Sequence, residues 1–522
     1  MTMPSPADLR GLAPQVERRL AALDAAKVPS RIWARDPTVW KPDPNTPEIR
    51  DRLGWLTVVD TMRADLPRLR GFAEQVRGAF RRVVLCGMGG SSLAPEVLRL
   101  SGRPAAGYPT LHVLDSTDPG AVAAAGAGGV GQTLFLISSK SGTTLEPDCF
   151  YRHFWELAGQ RGAQFAAITD PGTPLARLAA ERRFRETFLN PADIGGRYSA
   201  LSYFGLVPAA LLGLDVGRLL DRATRMITAC GPGVAARDNP GAWLGAVLGE
   251  AALSGRDKAT ILASPGIASY GLWAEQLIAE STGKEGTGIL PVAGEPLGPP
   301  EVYGSDRVFI AMSLSDERDP VTDAGLAALG AAGHPVVRLV LADPDDLGAE
   351  FFRWEFATAV AGAILGINAF DQPNVAESKA NTEAVLTKGA PPRPLADKDA
   401  LGRFVAQVRP GDYVALLAYL PPTSEHDRRL AAVRLALRNR LRVATTLGYG
   451  PRYLHSTGQL HKGGPPRGHF LEITALPATD LPIPGKPFTF GQFEAAQAEG
   501  DLQALDRRGR PALQLRLDLL ER

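Results

Sequence analysis

Cysteine is scarce in this chain of 522 residues, and long apolar runs are missing. The three cysteines, Cys86, Cys149 and Cys230, are isolated and odd in number, which excludes a disulfide framework and the common zinc spacings. No stretch approaches the roughly 20 apolar residues of a membrane span, and the first residues lack the apolar core of a signal peptide. We therefore expect reduced cysteines, no membrane contact and a cytoplasmic location.

An excess of one charge is also lacking. Lys and Arg total 57 and Asp and Glu total 56, which leaves a formal net charge of +1. This balance indicates neither a nucleic-acid surface nor an acidic partner. The length exceeds what one hydrophobic core usually supports, so the chain is expected to form two or three domains.

Two turns rich in serine, threonine and glycine each follow an apolar, strand-like run and precede an expected helix. Nucleotide-binding proteins carry their phosphate-binding motif at this position. They lie in VVLCGMGGSS at 83–92 and in LFLISSKSGTTLE at 134–146. Neither has the Gly-Lys-Ser/Thr ending of a Walker loop, and neither completes G-x-G-x-x-G. Free backbone N–H groups at a helix start, joined by side-chain hydroxyls, suit a phosphate monoester. The turns therefore predict a site for a small phosphorylated metabolite rather than for a nucleotide.

Short apolar runs alternate with helical segments from residue 82 onward, which predicts an α/β fold with two doubly wound, mainly parallel sheets. In such a fold the ligand lies at the carboxyl ends of the strands. The expected division is a helical arm at 1–80, two α/β domains at 81–232 and 233–395, an α/β segment completing the second domain at 396–475, and a C-terminal extension at 476–522. The sequence indicates no chemical role for the extension.

Two residues have the setting of an acid–base site. Glu280 shares a helix face with Trp273 and Leu277 in WAEQLIAESTGK, so partial desolvation would raise its pKa toward that of a general base. The alternative is a helix-end carboxylate in a surface ion pair. Arg197 follows two glycines in DIGGRYSALSYFG, where it would stabilise an oxyanion or grip a phosphate, or else be a solvated loop residue.

Further candidates lie nearer the C-terminus. Gln372 and Lys379 are seven positions apart in FDQPNVAESK, close to the first two turns of an expected helix, although Lys379 also fits an ordinary surface lysine. His455 and His461 are six apart, a spacing that no common zinc pattern uses. A proton shuttle suits one of them better, because histidine titrates near neutrality.

Together these segments resemble the phosphoglucose isomerase family over about residues 80–475. DIGGRYSALSYFG resembles its first signature, and GINAFDQPNVAESK its second, with Asn374 and Ala376 as departures. GMGGSS and SSKSGTTLE match the turns of sugar isomerase (SIS) domains generally, which regulators and aminotransferases share. The pattern is most similar to the isomerase half of bifunctional transaldolase/phosphoglucose isomerases. Transaldolase activity is not implied, because about 80 residues upstream are too few for its barrel.

The resemblance implies two SIS-like domains and an aldose–ketose isomerase of glycolysis and gluconeogenesis that interconverts glucose 6-phosphate and fructose 6-phosphate without metal or cofactor. It makes Glu280 the base, Arg197 the stabiliser of the enediolate and Lys379 a ring-opening residue. The implied substrate and phosphate contacts are Gly90, Ser91, Ser139, Lys140, Ser141, Thr144 and Gln372. A homodimer is expected, since the family's ring-opening histidine usually crosses from a partner, and a monomer is the alternative.

One departure concerns that histidine. In the family it follows the base glutamate by a few tens of residues, yet the interval GTGILPVAGEPLGPPEVYGSDRVF at 286–309 contains none. Downstream, LHSTGQ at 454–459 resembles the segment that carries it in bacterial members. We infer that the segment has moved along the chain but not in space, so that His455 opens the ring. The alternative is that Asp306 or another group has replaced it.

Two other functions fit the same motifs. One is a sugar-phosphate-binding SIS protein that has lost the chemistry. The other is an isomerase of a different phosphosugar, such as mannose 6-phosphate. The presence of Glu280, Arg197, Lys379 and a candidate histidine favours an enzyme, because binding alone does not need this set.

Overall fold

The computed structural model describes residues 6–389 and 393–521. Its N-terminal arm contains α1 (Ala13–Ala25), α2 (Val28–Trp33), α3 (Val58–Ala64) and α4 (Leu66–Ala79). Apolar residues that recur at helical spacing, such as Val59 and Met62, are fully buried. They belong to the same hydrophobic core as strands and helices farther along the chain, so the arm is packed onto the body of the protein.

The first sheet has five parallel strands in the order β2-β1-β3-β4-β5. They are β1 (Arg82–Gly87), β2 (Thr110–Leu114), β3 (Thr133–Ser138), β4 (Phe165–Thr169) and β5 (Glu186–Leu189), with α5 (Leu93–Ser101), α6 (Pro119–Gly126), α7 (Leu145–Leu157) and α8 (Pro174–Glu181) between them. Every residue of β3 is buried, which agrees with the apolar run Leu-Phe-Leu-Ile between its terminal Thr133 and Ser138. The chain leaves β1 and β3 toward opposite sides, and this switch point opens a crevice at their carboxyl ends.

Three helices lead to the second sheet: α9 (Tyr203–Leu211), α10 (Val216–Ala229) and α11 (Pro240–Leu253). That sheet is parallel, in the order β7-β6-β8-β9. Its elements are β6 (Lys258–Ala263), α12 (Tyr270–Thr282), β7 (Leu290–Ala293), β8 (Arg307–Leu314), α13 (Pro320–Ala331) and β9 (Val336–Leu341), followed by α14 (Leu347–Leu365) and α15 (Val375–Lys388). Helix α14 packs against α10 and α11 in the main core.

The remaining chain forms a third parallel sheet in the order β11-β10-β12-β13. Its elements are α16 (Lys398–Gln407), β10 (Tyr413–Tyr419), α17 (Ser424–Leu441), β11 (Ala444–Tyr449), α18 (Gly458–Gly463), β12 (Gly468–Thr474), α19 (Phe490–Arg507), β13 (Ala512–Leu515) and α20 (Leu517–Leu520). From the sequence, residues 396–475 were predicted to complete the second domain. In the structure these strands pair with one another, and the C-terminal extension supplies edge strand β13, because pairing follows tertiary packing rather than order along the chain. The domain limits themselves stay a prediction.

The α/β class with parallel sheets is confirmed. Cys86, Cys149 and Cys230 are buried as free thiols. Within the described ranges, no helix combines the length and apolar character needed to cross a membrane.

Candidate active site

A cavity of about 280 Å³ lies at the carboxyl ends of β1 and β3. Its wall is formed by the N-terminal arm, the two hydroxyl-rich turns, α12, α15 and the 3-10 turn Arg452–His455. Ten of the eleven predicted site residues line it: Gly90, Ser91, Lys140, Ser141, Thr144, Arg197, Glu280, Gln372, Lys379 and His455. Segments that are hundreds of residues apart in the chain therefore meet around one space of a size suited to a small metabolite.

Glu280 lies near the carboxyl end of α12, with 5% of its surface exposed. Its Oε2 accepts a hydrogen bond of 3.0 Å from Nε2 of Gln276, one helical turn earlier. The same Nε2 donates to the backbone oxygen of His455 at 2.7 Å. Gln276 therefore joins the predicted base to the predicted ring-opening segment. The burial of Glu280 does not fit the surface ion pair that the sequence left open.

Arg197 is buried beside this carboxylate, with 3% of its surface exposed. Its Nε donates to Oγ of Ser281 at 2.8 Å. Its Nη2 donates to the backbone oxygens of Ala369 and Asp371, both at 2.9 Å. By contrast, Nη1 lies 3.6 Å from Oε1 of Glu280. One side of the guanidinium is thus anchored by short hydrogen bonds, whereas Nη1 faces the cavity with only longer contacts.

Lys284 secures the loop that holds Arg197. Its Nζ donates to both the backbone oxygen and Oδ1 of Asp371, each at 2.6 Å. Only 1% of Lys284 is exposed, and burial, followed by the charge of Arg197, lowers its pKa to about 8. The ion pair fixes the position of Asp371, because separating the partners would leave the buried charge of Lys284 uncompensated.

His455 ends its 3-10 turn with Nε2 2.8 Å from Oε1 of Glu146, in the first turn of α7. Burial raises the pKa of Glu146, but the charge and hydrogen bond of His455, and the charge of Lys379, lower it more, so the net pKa is below its ordinary value. An ionised Glu146 accepts from a protonated Nε2 and so orients the imidazole. Sequence reasoning assigned no role to Glu146, although SSKSGTTLE ends on it.

Gln372, in the loop before α15, and Lys379, in the second turn of that helix, both line the cavity. Lys379 is exposed, as an ordinary surface lysine would be, but it borders the cavity and its charge acts on Glu146. Asn374, a departure from the family pattern, donates from its backbone N–H to Oε1 of Gln459 at 2.9 Å and accepts from Nε2 of Gln459 at 2.7 Å. This departure therefore binds the segment that carries His455. The side chain of Ala376, the other departure, lies outside the described residues.

Two glycines allow the first hydroxyl-rich turn to approach the rest of the site. Gly89 has φ +54°, and a Cβ there would lie 2.9 Å from the backbone oxygen of His455. A Cβ on Gly90 would lie 1.9 Å from the backbone oxygen of Gly196, next to Arg197. Any side chain at Gly90 would therefore displace the arginine's turn.

The second turn divides its hydroxyls between the cavity and the interior. Ser141 and Thr144 line the cavity. Ser139 does not line it: its buried Oγ donates to Oγ1 of Thr144 at 3.3 Å. Lys140 lines the cavity and pairs with the carboxylate of Asp170. Ser139 was predicted to contact the substrate directly. In the structure it contacts Thr144, which faces the cavity.

Residues outside the family signatures also reach the site. Glu48 and Arg52 of the N-terminal arm line the cavity, and no motif marked them. Gln276 was detectable in principle, because it lies at i−4 from Glu280 on the same helix face. Asp306, the alternative to His455, lies 3.3 Å from Nζ of Lys258 at the amino end of β8 and is not part of the cavity wall.

Comparison with known proteins gives a consistent set of relatives, although no family model matches the chain. A glucose-6-phosphate isomerase of Leptospira interrogans is 26% identical over 394 residues, covering 65% of this chain and 87% of the relative. That of Synechococcus elongatus is 28% identical over 424 residues, covering 70% and 77%. That of Enterococcus faecalis is 26% identical over 393 residues, covering 65% and 88%. The resemblance to phosphoglucose isomerases is confirmed.

Solved structures share the fold. A hypothetical protein of Thermus thermophilus superimposes with a TM-score of 0.64 at 22% identity, covering 74% of this chain and all of that one. A glucose-6-phosphate isomerase of Chlamydia trachomatis gives 0.53 at 21% identity, covering 69% of this chain and 77% of that one. The arrangement of parallel sheets is therefore one that a phosphoglucose isomerase also uses.

Proposed function

We propose that this protein is an aldose–ketose isomerase that interconverts glucose 6-phosphate and fructose 6-phosphate. The observation that carries the proposal is the buried pair of Glu280 and Arg197 at a cavity that the hydroxyl-rich turns also line. A carboxylate, a fixed cation and a phosphate-binding turn around one space are the parts that an enediol mechanism needs. The relatives named glucose-6-phosphate isomerase support the choice of substrates.

The phosphate end of the cavity would bind and orient the sugar. Ser91, Ser141 and Thr144 supply hydroxyl donors, the backbone at Gly90 adds an N–H group, and Lys140 adds positive charge. These groups lie away from the reacting carbons in the proposed mode, so they contribute orientation rather than chemistry.

Ring opening would be performed by His455 and Lys379. Opening moves a proton from the anomeric hydroxyl to a base while an acid protonates the ring oxygen. His455 is oriented by Glu146 at 2.8 Å, and Lys379 borders the same cavity. Because one chain supplies both groups together with Glu280, we propose that His455 acts within its own chain. Assembly as a homodimer stays a prediction.

Isomerisation would then pass through Glu280. Its carboxylate takes the proton from C2 of the open aldose, the C1 carbonyl oxygen becomes an enediolate oxygen, and a new C1–C2 double bond forms. The same carboxyl group then delivers the proton to C1, while the proton of the C2 hydroxyl moves to the oxygen on C1, so that C2 becomes the carbonyl carbon and C1 carries the hydroxyl. Arg197 Nη1, free of short contacts among the described residues, meets the negative oxygen in a site where little water weakens the attraction.

The test is a coupled assay for glucose 6-phosphate formed from fructose 6-phosphate, with Glu280→Gln as the variant. Loss of the base should lower the rate by about 100- to 10,000-fold and abolish solvent deuterium exchange at the sugar carbons, while sugar-phosphate binding persists. Exchange near the wild-type rate would remove Glu280 from the mechanism. Binding without turnover in the wild-type protein would identify a non-catalytic binder, and turnover of mannose 6-phosphate alone would identify a different isomerase.

We also propose a cytoplasmic location. The three cysteines are buried free thiols, as expected in a reducing compartment, and the substrates of the proposed reaction are charged metabolites.

A further inference from the structure

Helix α19, in the C-terminal extension, meets the ring-opening part of the site through Gln497. This side chain, 2% exposed, donates from Nε2 to Oε1 of Glu146 at 2.8 Å. That oxygen is the one that contacts His455. The other end of Gln497 is fixed as well, because its Oε1 accepts from Oγ1 of Thr117 at 2.7 Å. Gln497 thus determines where the Glu146 carboxylate lies and, through it, how the imidazole is held.

One turn farther along the same helix face, Asp501 is fully buried. It accepts hydrogen bonds from three side chains that belong to different elements. Nζ of Lys462 lies 2.6 Å from Oδ1, the hydroxyl of Tyr453 lies 3.0 Å from Oδ2, and Oγ of Ser378 lies 3.3 Å from Oδ1. A single carboxylate therefore connects α18, the 3-10 turn and α15.

The positions of these partners in the sequence are informative. Tyr453 is two residues before His455, and Ser378 directly precedes Lys379. The two groups assigned to ring opening come from elements more than 70 positions apart in the chain. Helix α19 packs on α15 and α18. In addition to the Asn374–Gln459 hydrogen bonds, Asp501 connects the two segments at points next to the reacting side chains.

We propose that α19 is a positioning element for ring opening, with Gln497 and Asp501 as its positioning residues. The proposal rests on the isomerase function argued above. Apolar packing alone would hold α19 in place, but it would not set the angle of a carboxylate that orients a histidine. A buried hydrogen-bond network with few alternative arrangements does this, since each broken bond leaves a buried polar group unpaired.

The decisive measurement separates ring opening from proton transfer. Ring opening and closure interconvert the α and β anomers of glucose 6-phosphate, which exchange NMR follows without any isomerisation. In Gln497→Leu we expect enzyme-catalysed anomer interconversion to fall about 10- to 100-fold, because the imidazole loses its fixed orientation. Binding of a linear phosphorylated sugar acid, which needs no ring opening, should stay unchanged. Gln503→Leu is the control, since Gln503 lies on the same helix and donates only to Glu499 among the described contacts.

A second pair of variants tests Asp501. Asp501→Asn should reduce anomer interconversion, whereas Asp506→Asn, the same change at a more exposed site that pairs with Arg393, should not. If Asp501→Asn fails to fold, Tyr453→Phe provides the milder test, because it removes one hydroxyl donor and keeps the ring. Thermal unfolding of every variant reports loss of structure separately from loss of ring opening.

The outcomes distinguish this proposal from the proposed function. Glu280→Gln should lose isomerisation and keep anomer interconversion, while Gln497→Leu loses both with the cyclic sugar. If Gln497→Leu and Tyr453→Phe fold and interconvert anomers at the wild-type rate, α19 is only a structural helix and the proposal is wrong, although the isomerase assignment stands. If the wild-type protein neither isomerises nor interconverts anomers, it is the proposed function that fails.

Discussion

The two ends of the cavity are built in different ways. At the phosphate end, the binding groups follow directly from consecutive residues in two strand-to-helix turns. At the ring-opening end, His455, Glu146 and Lys379 come from three distant segments and meet next to helix α19. A local turn can be recognised from consecutive residues in a sequence. A site assembled from distant segments cannot be recognised in this way, because it depends on tertiary packing.

The largest expected effect at the ring-opening end belongs to His455→Ala. Loss of the acid–base group should lower kcat/KM on cyclic fructose 6-phosphate by about 100- to 1,000-fold. The loss should be smaller on an aldose phosphate that is too short to form a ring, because that substrate skips the step. Steady-state kinetics on both substrates checks this. Equal losses on the two would mean that His455 serves proton transfer or folding instead.

Mixing two impaired variants tests whether the Glu280 and the His455 of one active site belong to the same chain. We expect no recovery of activity when Glu280→Gln and His455→Ala are combined, because the cavity takes both side chains from the same polypeptide. The coupled assay after co-expression and after simple mixing is the measurement. Recovery to a substantial fraction of wild-type activity would mean that His455 crosses between subunits, as the family resemblance implies. The two single variants, assayed alone at the same concentration, set the background.

A third prediction compares two serines of the same turn. Ser141→Ala should raise KM about tenfold with little change in kcat, since it removes a hydroxyl donor from the cavity wall and so a hydrogen bond to a charged phosphate. Ser139→Ala should have a smaller effect, because Ser139 contacts Thr144 rather than the cavity. Substrate saturation curves for the two variants distinguish direct from indirect contacts. A larger effect of Ser139→Ala would place the phosphate deeper than proposed.

The phosphate end and the ring-opening end also differ in how much of each could be predicted from the sequence. The turns at 88–91 and 140–144 were recognisable, because each follows an apolar strand and combines glycine with hydroxyl residues. For Glu280 and Arg197 the local pattern left a surface residue as the alternative, and only the resemblance to the isomerase family implied their roles. Glu146 lies at the end of the second hydroxyl-rich motif, but no role was predicted for it, since its partner His455 lies 309 positions away.

The C-terminal region was least predictable. Gln497 and Asp501 look like ordinary helix residues, and nothing in their spacing indicates a buried network. Strand β13 was expected only as a terminal extension, yet it completes the third sheet beside β12. Long-range pairing of this kind is decided by which apolar faces meet, and many arrangements satisfy the same local pattern.

The smallest expected effect concerns the pH dependence of stability at the ring-opening end. The pKa of Glu146 is lower in the folded protein than in the unfolded chain, because His455 and Lys379 outweigh the effect of burial. Its ionised form therefore adds stability that is fully present above its ordinary pKa near 4.5 and is lost as pH falls through the folded value. Denaturant unfolding of wild type and Glu146→Gln should thus differ most at neutral pH and converge in acid. A difference that stays constant down to pH values below the folded pKa would show that the carboxylate acts through packing, and the orienting contact with the imidazole would lose its electrostatic basis.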